Sequence, residues 1–93
     1  MRFEWDEAKD RSNQVKHRLS FETAKRVFDD PLHRSLPANV VEGEQRWETM
    51  GIIDDVVVIV VVHTFLEDGD DEVVRIISAR KATRHERRHY ENG

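Results

Sequence analysis

The segment 75–90, RIISARKATRHERRHY, concentrates the side chains best suited to bind an anion. It contains six Arg or Lys residues and a single acid, Glu86. Ammonium groups attract phosphate as point charges, and the planar guanidinium of Arg grips two phosphate oxygens at once. An alternative interpretation is a solvated helix face, which Arg-rich helices often present. The elements that carry the segment therefore decide whether its cations can converge on one ligand.

Charge is distributed unevenly along the chain, whose formal net charge is -4. Residues 1–30 are neutral overall, residues 31–74 carry -8 and residues 75–93 carry +4. A sequence pI near 5.7 argues against a general nucleic-acid binder, although a local basic patch still attracts phosphate at short range. The chain has no cysteine, which excludes disulfides, thiolate nucleophiles and Cys-type zinc sites.

Capping and turn residues divide the chain into elements. Asp6 predicts the start of a helix over 6–17, after a short extended piece at 3–5. Ser20 predicts a second helix, which Pro31 ends. Strands are predicted at 32–41, 46–53, 56–65 and 72–80, with hairpin turns at 54–55 and 67–71. Thr83 and Glu86 form a capping box that opens a final helix over 84–91.

This order predicts one α+β domain spanning residues 1–93, with two N-terminal helices, an antiparallel four-stranded β-meander and a short C-terminal helix. The apolar run 56–62 does not alternate, which indicates a central strand covered on both faces. A membrane span needs about 20 apolar residues, and the chain starts without an apolar signal region. We therefore expect a soluble cytoplasmic protein that makes no membrane contact.

Four motifs, in order over nearly the whole chain, resemble the BrnT-like toxins of type II toxin-antitoxin modules. They are FEWDEAKDRSNQVKH, SFETAKRVFDD, GEQRWETMG and the segment 75–90. The resemblance implies a RelE-like fold and RNA cleavage without a metal or other cofactor. It also implies neutralisation by an antitoxin of ribbon-helix-helix or related type, in a hetero-oligomer that reaches operator DNA only through the antitoxin.

The resemblance assigns site residues by position. Its motifs fall on Lys16 and His17 after the first helix, on Glu44 and Arg46 before the second long strand, on Arg75, Ser78, Arg80 and Lys81 in the last strand, and on Glu86, Arg87 and Tyr90 at the end. The chain departs from the family twice. Arg18 stands where members usually have glycine, and HTFLEDGDDE lacks a cation that many members carry after the long strand.

Metal-free RNA cleavage needs a base for the 2′-hydroxyl proton, an acid for the leaving 5′-oxygen and fixed cations around the phosphate. For the cations the candidates are Arg80, Lys81 and Arg46, with Lys16 as a further one. His17 is the candidate for proton transfer, because imidazole titrates near neutral pH. Outside this catalytic set, the residues expected to bind RNA are Arg75, Arg84, Arg87 and Arg88.

Several of these residues have structural alternatives. His17 can simply close the first helix at its negative end, and Arg75 can pair with Glu48 or another acid across strands. His63 follows an apolar run and is expected to be a hydrogen-bonded core or sheet-edge histidine. Glu44 either orients Arg46 or is solvated in a turn.

The aromatic and remaining histidine residues give weaker signals. Trp5 and Trp47 are expected in the core, with base stacking as the alternative for Trp47. His85 and His89 have the i, i+4 spacing of helical metal ligands. Nothing in the sequence supplies a third ligand, so we predict no metal site.

Two other functions remain compatible with the sequence. The first is a non-enzymatic subunit that binds its antitoxin and helps repress their operator, its catalysis lost together with the missing cation in HTFLEDGDDE. The second is a plain RNA-binding domain, which the low aromatic content of 8% disfavours.

Overall fold

The computed structural model describes residues 1–92, which form five strands, three α-helices and a short 3-10 helix. No helix in this part of the chain is long and apolar enough to cross a membrane. In chain order the elements are β1 (Arg2–Trp5), α1 (Glu7–His17), α2 (Phe21–Ala24), the 3-10 helix (Lys25–Asp29), β2 (Arg34–Val41), β3 (Glu44–Ile53), β4 (Val57–Asp68), β5 (Asp71–Lys81) and α3 (Arg84–Asn92).

The strands form one mixed sheet in the order β1-β5-β4-β3-β2. The four strands from β2 to β5 pair antiparallel with their neighbours, as the predicted meander requires. The prediction of a four-stranded antiparallel sheet was nevertheless wrong in detail, because β1 adds a parallel edge strand from Arg2↔Val73 to Trp5↔Ile76. Its extended conformation was expected, but four residues carry too short a pattern to identify a partner in a distant segment.

The second predicted helix is also shorter than expected. Ser20 caps it, with its Oγ accepting the N–H of Thr23 at 3.1 Å, but α2 lasts only four residues before the chain tightens into the 3-10 helix. This segment runs directly against β3: a Cβ added at Gly51 would lie 2.6 Å from the carbonyl oxygen of Val27. The narrower 3-10 coil suits such a close approach, which the sequence pattern did not reveal.

The core lies on both faces of the sheet, with β4 at its centre. Ile59 and Val61 of β4 belong to the larger cluster, which Phe21, Ala24 and Val27 complete from the helical side. Val58 and Val60 face the opposite way, and Tyr90 of α3 packs against their smaller cluster. The prediction of a central strand covered on both faces is confirmed.

Tyr90 anchors α3, which has no fully buried residue, to the rest of the molecule. Its hydroxyl donates a hydrogen bond to Asp30, which also accepts the N–H groups of Ile52 at 2.8 Å and Leu32 at 2.9 Å. Burial and the bond to Asp30 raise the pKa of Tyr90 to about 12. Burial alone would raise the pKa of Asp30, but the donated hydrogen bonds outweigh it and the net pKa is lowered.

The local signals for helix starts and hairpin turns are confirmed. Asp6 caps α1 by accepting the N–H groups of Ala8 and Lys9 at 2.8 and 3.2 Å. Asp54 and Asp55 have φ angles of 55° and 56°, the left-handed conformation of a tight hairpin. The predicted capping box of α3 has both of its bonds, at 2.9 and 3.2 Å.

Candidate functional site

Helix α1 replaces a strand along the second half of β5. β1 pairs only with residues 73–76, and beyond them the side chain of Asn13 takes over the role of a neighbouring strand. It donates to the carbonyl of Ala79 at 2.9 Å and accepts the N–H of the same residue at 3.1 Å. A further bond to the carbonyl of Leu19, at 2.8 Å, ties the end of the helix to this contact. Asn13 therefore fixes the end of α1 beside the end of β5.

A basic groove opens between these two ends. It has a volume of about 510 Å³, and every charged side chain that lines it is basic. A second depression of about 480 Å³ continues it along α1, past Lys9 and Ser12. We call the larger depression the basic groove; it is lined by Lys16, His17, Arg18, Arg80, Lys81 and Thr83.

The end of α1 and the turn after it place three of these basic residues next to one another. Lys16 and His17 lie in the last helical turn, where the partial negative charge of the helix end favours cations. Arg18 follows in the left-handed conformation with φ 55°, and its N–H bonds the carbonyl of Gln14. The tight turn thus persists although arginine stands where the resemblance expects glycine, and the arginine adds a charge to the groove.

A β-bulge in β5 decides on which face of the sheet the side chains at the end of this strand lie. Register passes from Val62↔Ser78 to His63↔Ile76, which leaves Ile77 without a partner. Because of this extra residue, Ile76 and Ala79 both reach the larger core although they are three positions apart. Arg80 consequently leaves the strand on the face that carries α3, in register with Val60.

Arg80 is held by an acid of α3. Its Nη1 and Nη2 donate to Oε1 and Oε2 of Glu86 at 2.7 and 2.9 Å, and Oε1 also accepts the N–H of Thr83. The bonds from Arg80 lower the pKa of Glu86 to about 2. In turn, the bonds to Glu86, and after them the negative charges of Glu86 and Glu48, raise the pKa of Arg80. The guanidinium is therefore permanently charged and fixed in orientation at the groove wall.

The sequence model of the BrnT ribonuclease toxins of type II toxin-antitoxin systems matches residues 5–86. The chain belongs to this family. Among solved structures it is similar to the Brucella abortus ribonuclease toxin BrnT, with a TM-score of 0.68, 23% sequence identity and coverage of 90% of this chain and 99% of that one. That likeness shows a shared α+β fold. No curated protein matches the chain.

The structure brings together four of the five predicted catalytic residues of this BrnT-family protein. Lys16, His17, Arg80 and Lys81 all line the basic groove, from two elements far apart in sequence. Arg46 does not line the groove. It lies on β3, which is separated from β5 by β4. Its Nε is buried without a hydrogen-bond partner among the described residues.

The predicted RNA-binding arginines are spread over separate surfaces. Arg75 pairs with Glu4 on the neighbouring strand at 3.0 Å, which is the cross-strand alternative considered for it. Arg84, Arg87 and Arg88 are exposed on α3, and Arg87 lies 3.7 Å from Glu91. None of these four side chains lines the basic groove.

His63 is a core residue, as predicted. It is fully buried, its Nε2 lies 2.6 Å from Oγ1 of Thr49, and its ring packs edge-on against Phe28 and Phe65. Burial lowers the pKa of His63 to about 4. A neutral imidazole inside the core cannot reach a substrate at the surface.

The two tryptophans are half-buried among other aromatic rings. Trp5 packs edge-on against Phe21, at 6.1 Å between ring centroids, and Trp47 packs against Phe65 at 5.6 Å. His85 and His89 lie on one side of α3, and no group of three possible metal ligands occurs within residues 1–92.

Two residues of the site were missed by sequence reasoning. Asn13, buried in a helix that is otherwise largely exposed, positions α1 on β5. Glu86 was assigned to the capping box, but its bidentate bond to Arg80 was not foreseen. A polar residue on the inward face of a helix is a detectable signal, whereas the partner of Arg80 depends on how α3 folds back on the strand.

Proposed function

We propose that this protein is a metal-independent endoribonuclease, the toxin of a type II module, and that the basic groove binds the scissile phosphodiester. The observation that carries the proposal is the groove itself: five basic side chains from α1 and β5 converge, and no acid lines the space between them. An RNA backbone is the anion that such a groove suits, and family membership supports ribonuclease chemistry. We further propose that residues 1–93 act as one domain in the cytoplasm.

Each side chain has a defined task in this proposal. The 2′-hydroxyl loses its proton and its oxygen attacks phosphorus, which forms the 2′,3′-cyclic phosphate as the 5′-oxygen leaves and takes up a proton. Lys16, Arg18 and Lys81 stabilise the charge that develops on the phosphate oxygens. Arg80, oriented by Glu86, adds N–H donors at a fixed position.

His17 is the proposed proton-transfer group. Within residues 1–92 it is the histidine that lines the basic groove, and it is half-buried at the end of a helix whose position Asn13 fixes. An imidazole can accept the 2′-hydroxyl proton in one step and supply a proton in another. Arg46 is assigned no part in this groove, because it lies two strands away.

The direct test is cleavage of RNA by the free protein in excess EDTA. We expect cleavage to persist and to leave 2′,3′-cyclic phosphate ends. Arg80→Ala should lower the rate about a hundred- to a thousandfold if one transition-state donor is lost. Lys81→Ala tests the same groove without leaving Glu86 unpaired, since Lys81 is exposed.

Arg87→Ala is the matched control, because Arg87 belongs to the same basic segment but lies outside the groove. It should cost only a salt-dependent part of RNA affinity. Thermal unfolding of each variant separates lost function from lost folding. Activity that disappears in EDTA and returns with a divalent ion would refute the metal-free mechanism.

One observation favours a second function. Arg80 is already paired with Glu86, and the segment HTFLEDGDDE lacks the cation that many family members carry. A folded protein that binds its ribbon-helix-helix antitoxin but leaves RNA intact, and that does not arrest growth when expressed alone, would be a catalytically inactive subunit contributing to operator repression. The same cleavage assay distinguishes the two functions.

A further inference from the structure

A small pocket lies beside α3, on the side that faces β2 and β3. It has a volume of about 130 Å³. Leu36 and Met50 from the two strands give it an apolar lining, and the imidazoles of His85 and His89 border it from the helix. Glu48 and Glu86 supply its two carboxylates. We call it the α3 pocket.

The two carboxylates of the α3 pocket differ in what they can still bind. Both oxygens of Glu86 accept hydrogen bonds from Arg80. Glu48 is half-buried on β3, in register with Leu36 and Val62. Its negative charge helps to raise the pKa of Arg80, but within residues 1–92 its carboxylate oxygens accept no hydrogen bond and form no ion pair. Its carboxylate is therefore available to a ligand, and a half-buried acceptor gains most from one that donates hydrogen bonds.

The surroundings of the α3 pocket are basic. His85 and His89 also line a wider groove of about 480 Å³, together with Arg34, Arg88 and Asn92. Nη1 of Arg34 lies 3.3 Å from the carbonyl oxygen of His89, which holds this cation at the wall. A ligand with an apolar ring in the α3 pocket and a phosphate in the wider groove matches both linings.

The α3 pocket also adjoins the basic groove. Arg80 lines the basic groove and Glu86 lines the α3 pocket, and the two side chains are joined by bonds of 2.7 and 2.9 Å. The Arg80–Glu86 ion pair therefore separates the basic groove from the α3 pocket. A strand of RNA whose phosphate lies in the basic groove can place a neighbouring base on the other side of that wall.

We propose that the α3 pocket binds an RNA base next to the cleaved phosphodiester, and that Glu48 selects guanine. The inference rests on the proposed ribonuclease function. An apolar surface and imidazole rings accommodate the flat face of a base. Guanine presents two donors side by side, N1–H and the N2 amino group, which match the two oxygens of a carboxylate. Adenine, cytosine and uracil each place an acceptor beside their donor, which would face Glu48 unfavourably.

The first experiment compares the ends of RNA fragments produced by the wild-type protein and by Glu48→Gln. Wild-type cleavage should be concentrated next to guanine. In Glu48→Gln the ratio of cleavage at guanine to cleavage at adenine should fall about ten- to a hundredfold, the discrimination expected of one bidentate contact to a base. Glu67→Gln, at an exposed position near the end of β4, is the matched control and should keep the wild-type ratio.

The second experiment does not depend on cleavage. Guanosine and adenosine 5′-monophosphate are titrated into the free protein while the imidazole signals of His85 and His89 are followed by NMR. Guanosine monophosphate should shift both signals at lower concentration than adenosine monophosphate, and Glu48→Gln should remove the difference.

The two experiments separate failure of the inference from failure of the proposed function. Cleavage without guanine preference, with no effect of Glu48→Gln, would overturn the guanine pocket and leave the ribonuclease intact. Selective binding of guanosine monophosphate by a protein that cleaves no RNA would support the pocket and refute catalysis. Equal responses to both nucleotides, or protection of the two histidines by the antitoxin alone, would overturn the inference in favour of a non-selective or protein-binding surface.

Discussion

At the scale of single residues, His63 links the stability of the fold to pH. It is fully buried, and burial lowers its pKa from 6.5 to about 4. Between these values the unfolded chain binds a proton that the folded protein does not, so stability is complete above pH 6.5 and is lost as the pH falls. The ring meets Thr49, Phe28 and Phe65, and none of these three side chains is a charged group that could stabilise imidazolium.

We therefore expect the free energy of unfolding to fall by about 3 kcal/mol between pH 6.5 and pH 4 from this residue. Urea unfolding at several pH values measures the slope. His63→Gln should be less stable at pH 7 but should lose less stability on acidification. The same decline in both proteins would assign the effect to the carboxylates instead.

Arg18 offers a prediction in which stability and function change in opposite directions. Its left-handed conformation, φ 55°, is costly for any residue with a Cβ. Arg18→Gly should raise the free energy of unfolding by about 0.5 to 1 kcal/mol, since relief of that strain exceeds the entropic cost of glycine. It should also weaken RNA binding and reduce the slope of log affinity against log salt by about 0.7.

Arg18→Ala is the control for this substitution, because it removes the same charge and keeps the strained backbone. It should weaken RNA binding as much as Arg18→Gly without any gain in stability. If both variants bind RNA as the wild-type protein does, Arg18 does not face the substrate.

The sequence predicted the roles of residues when those roles depend on neighbouring positions in the chain. It did not predict the contacts that a residue makes with a distant element. His63 follows an apolar run, and this alone predicted burial. The resemblance placed Lys16, His17, Arg80 and Lys81 at the site, and the fold brings all four to one groove. The pairing of Arg75 with Glu4 depends on the parallel register of β1, which no local pattern specifies.

At the scale of elements, the contact between α1 and β5 depends on one side chain. Asn13 makes two bonds to the backbone of Ala79 and one to the backbone of Leu19, all three in a buried or partly buried setting. Through these bonds it holds Lys16 and His17 opposite Arg80. Hydrophobic packing cannot replace it there, because the outward strand edge presents polar backbone groups.

Asn13→Ala should lower the free energy of unfolding by about 2 to 3 kcal/mol, since it leaves a buried N–H and a buried carbonyl without partners. Gln14→Ala, at the exposed neighbouring position, should change it by less than about 0.5 kcal/mol. Asn13→Asp tests the geometry, because it places a carboxylate oxygen against the carbonyls of Leu19 and Ala79 and should destabilise the fold as well. Chemical denaturation of the three variants gives the comparison, and an Asn13→Ala protein as stable as the control would contradict it.

Elements with their own capping or turn residues were predicted well. The start of α1 at Asp6, the hairpin at Asp54 and Asp55, and the capping box of α3 are all encoded within four residues of chain. The parallel pairing of β1 with β5, the bulge at Ile77 and the 3-10 helix were not predicted, because each is imposed by packing against a distant segment. The register of the sheet and the change from α-helix to 3-10 helix after Ala24 depend on the assembled fold rather than on local propensity.

At the scale of the whole molecule, charge is separated in space as it is along the sequence. The acids of residues 31–74 are concentrated in turns and strand ends, while the basic groove collects cations from α1 and β5. A net charge of -4 disfavours indiscriminate binding to nucleic acid, and the groove provides a local positive field. An antitoxin that covers the groove must therefore bring acids to it.

We predict that the toxin-binding segment of the antitoxin is net acidic and amphipathic, and that it binds over the basic groove. Raising the salt concentration from about 0.1 M to about 1 M shortens the screening length from about 10 Å to about 3 Å, so the complex should weaken markedly by calorimetry. Lys81→Glu should weaken the complex further, because the reversed charge repels the acidic segment.

Arg11→Glu is the matched charge reversal. Arg11 is exposed on α1 and does not line the groove, so this variant should bind the antitoxin nearly as the wild-type protein does. Equal losses in both variants would show that the antitoxin responds to net charge alone, and tight binding that is independent of salt would place its contact on the apolar residues of another surface.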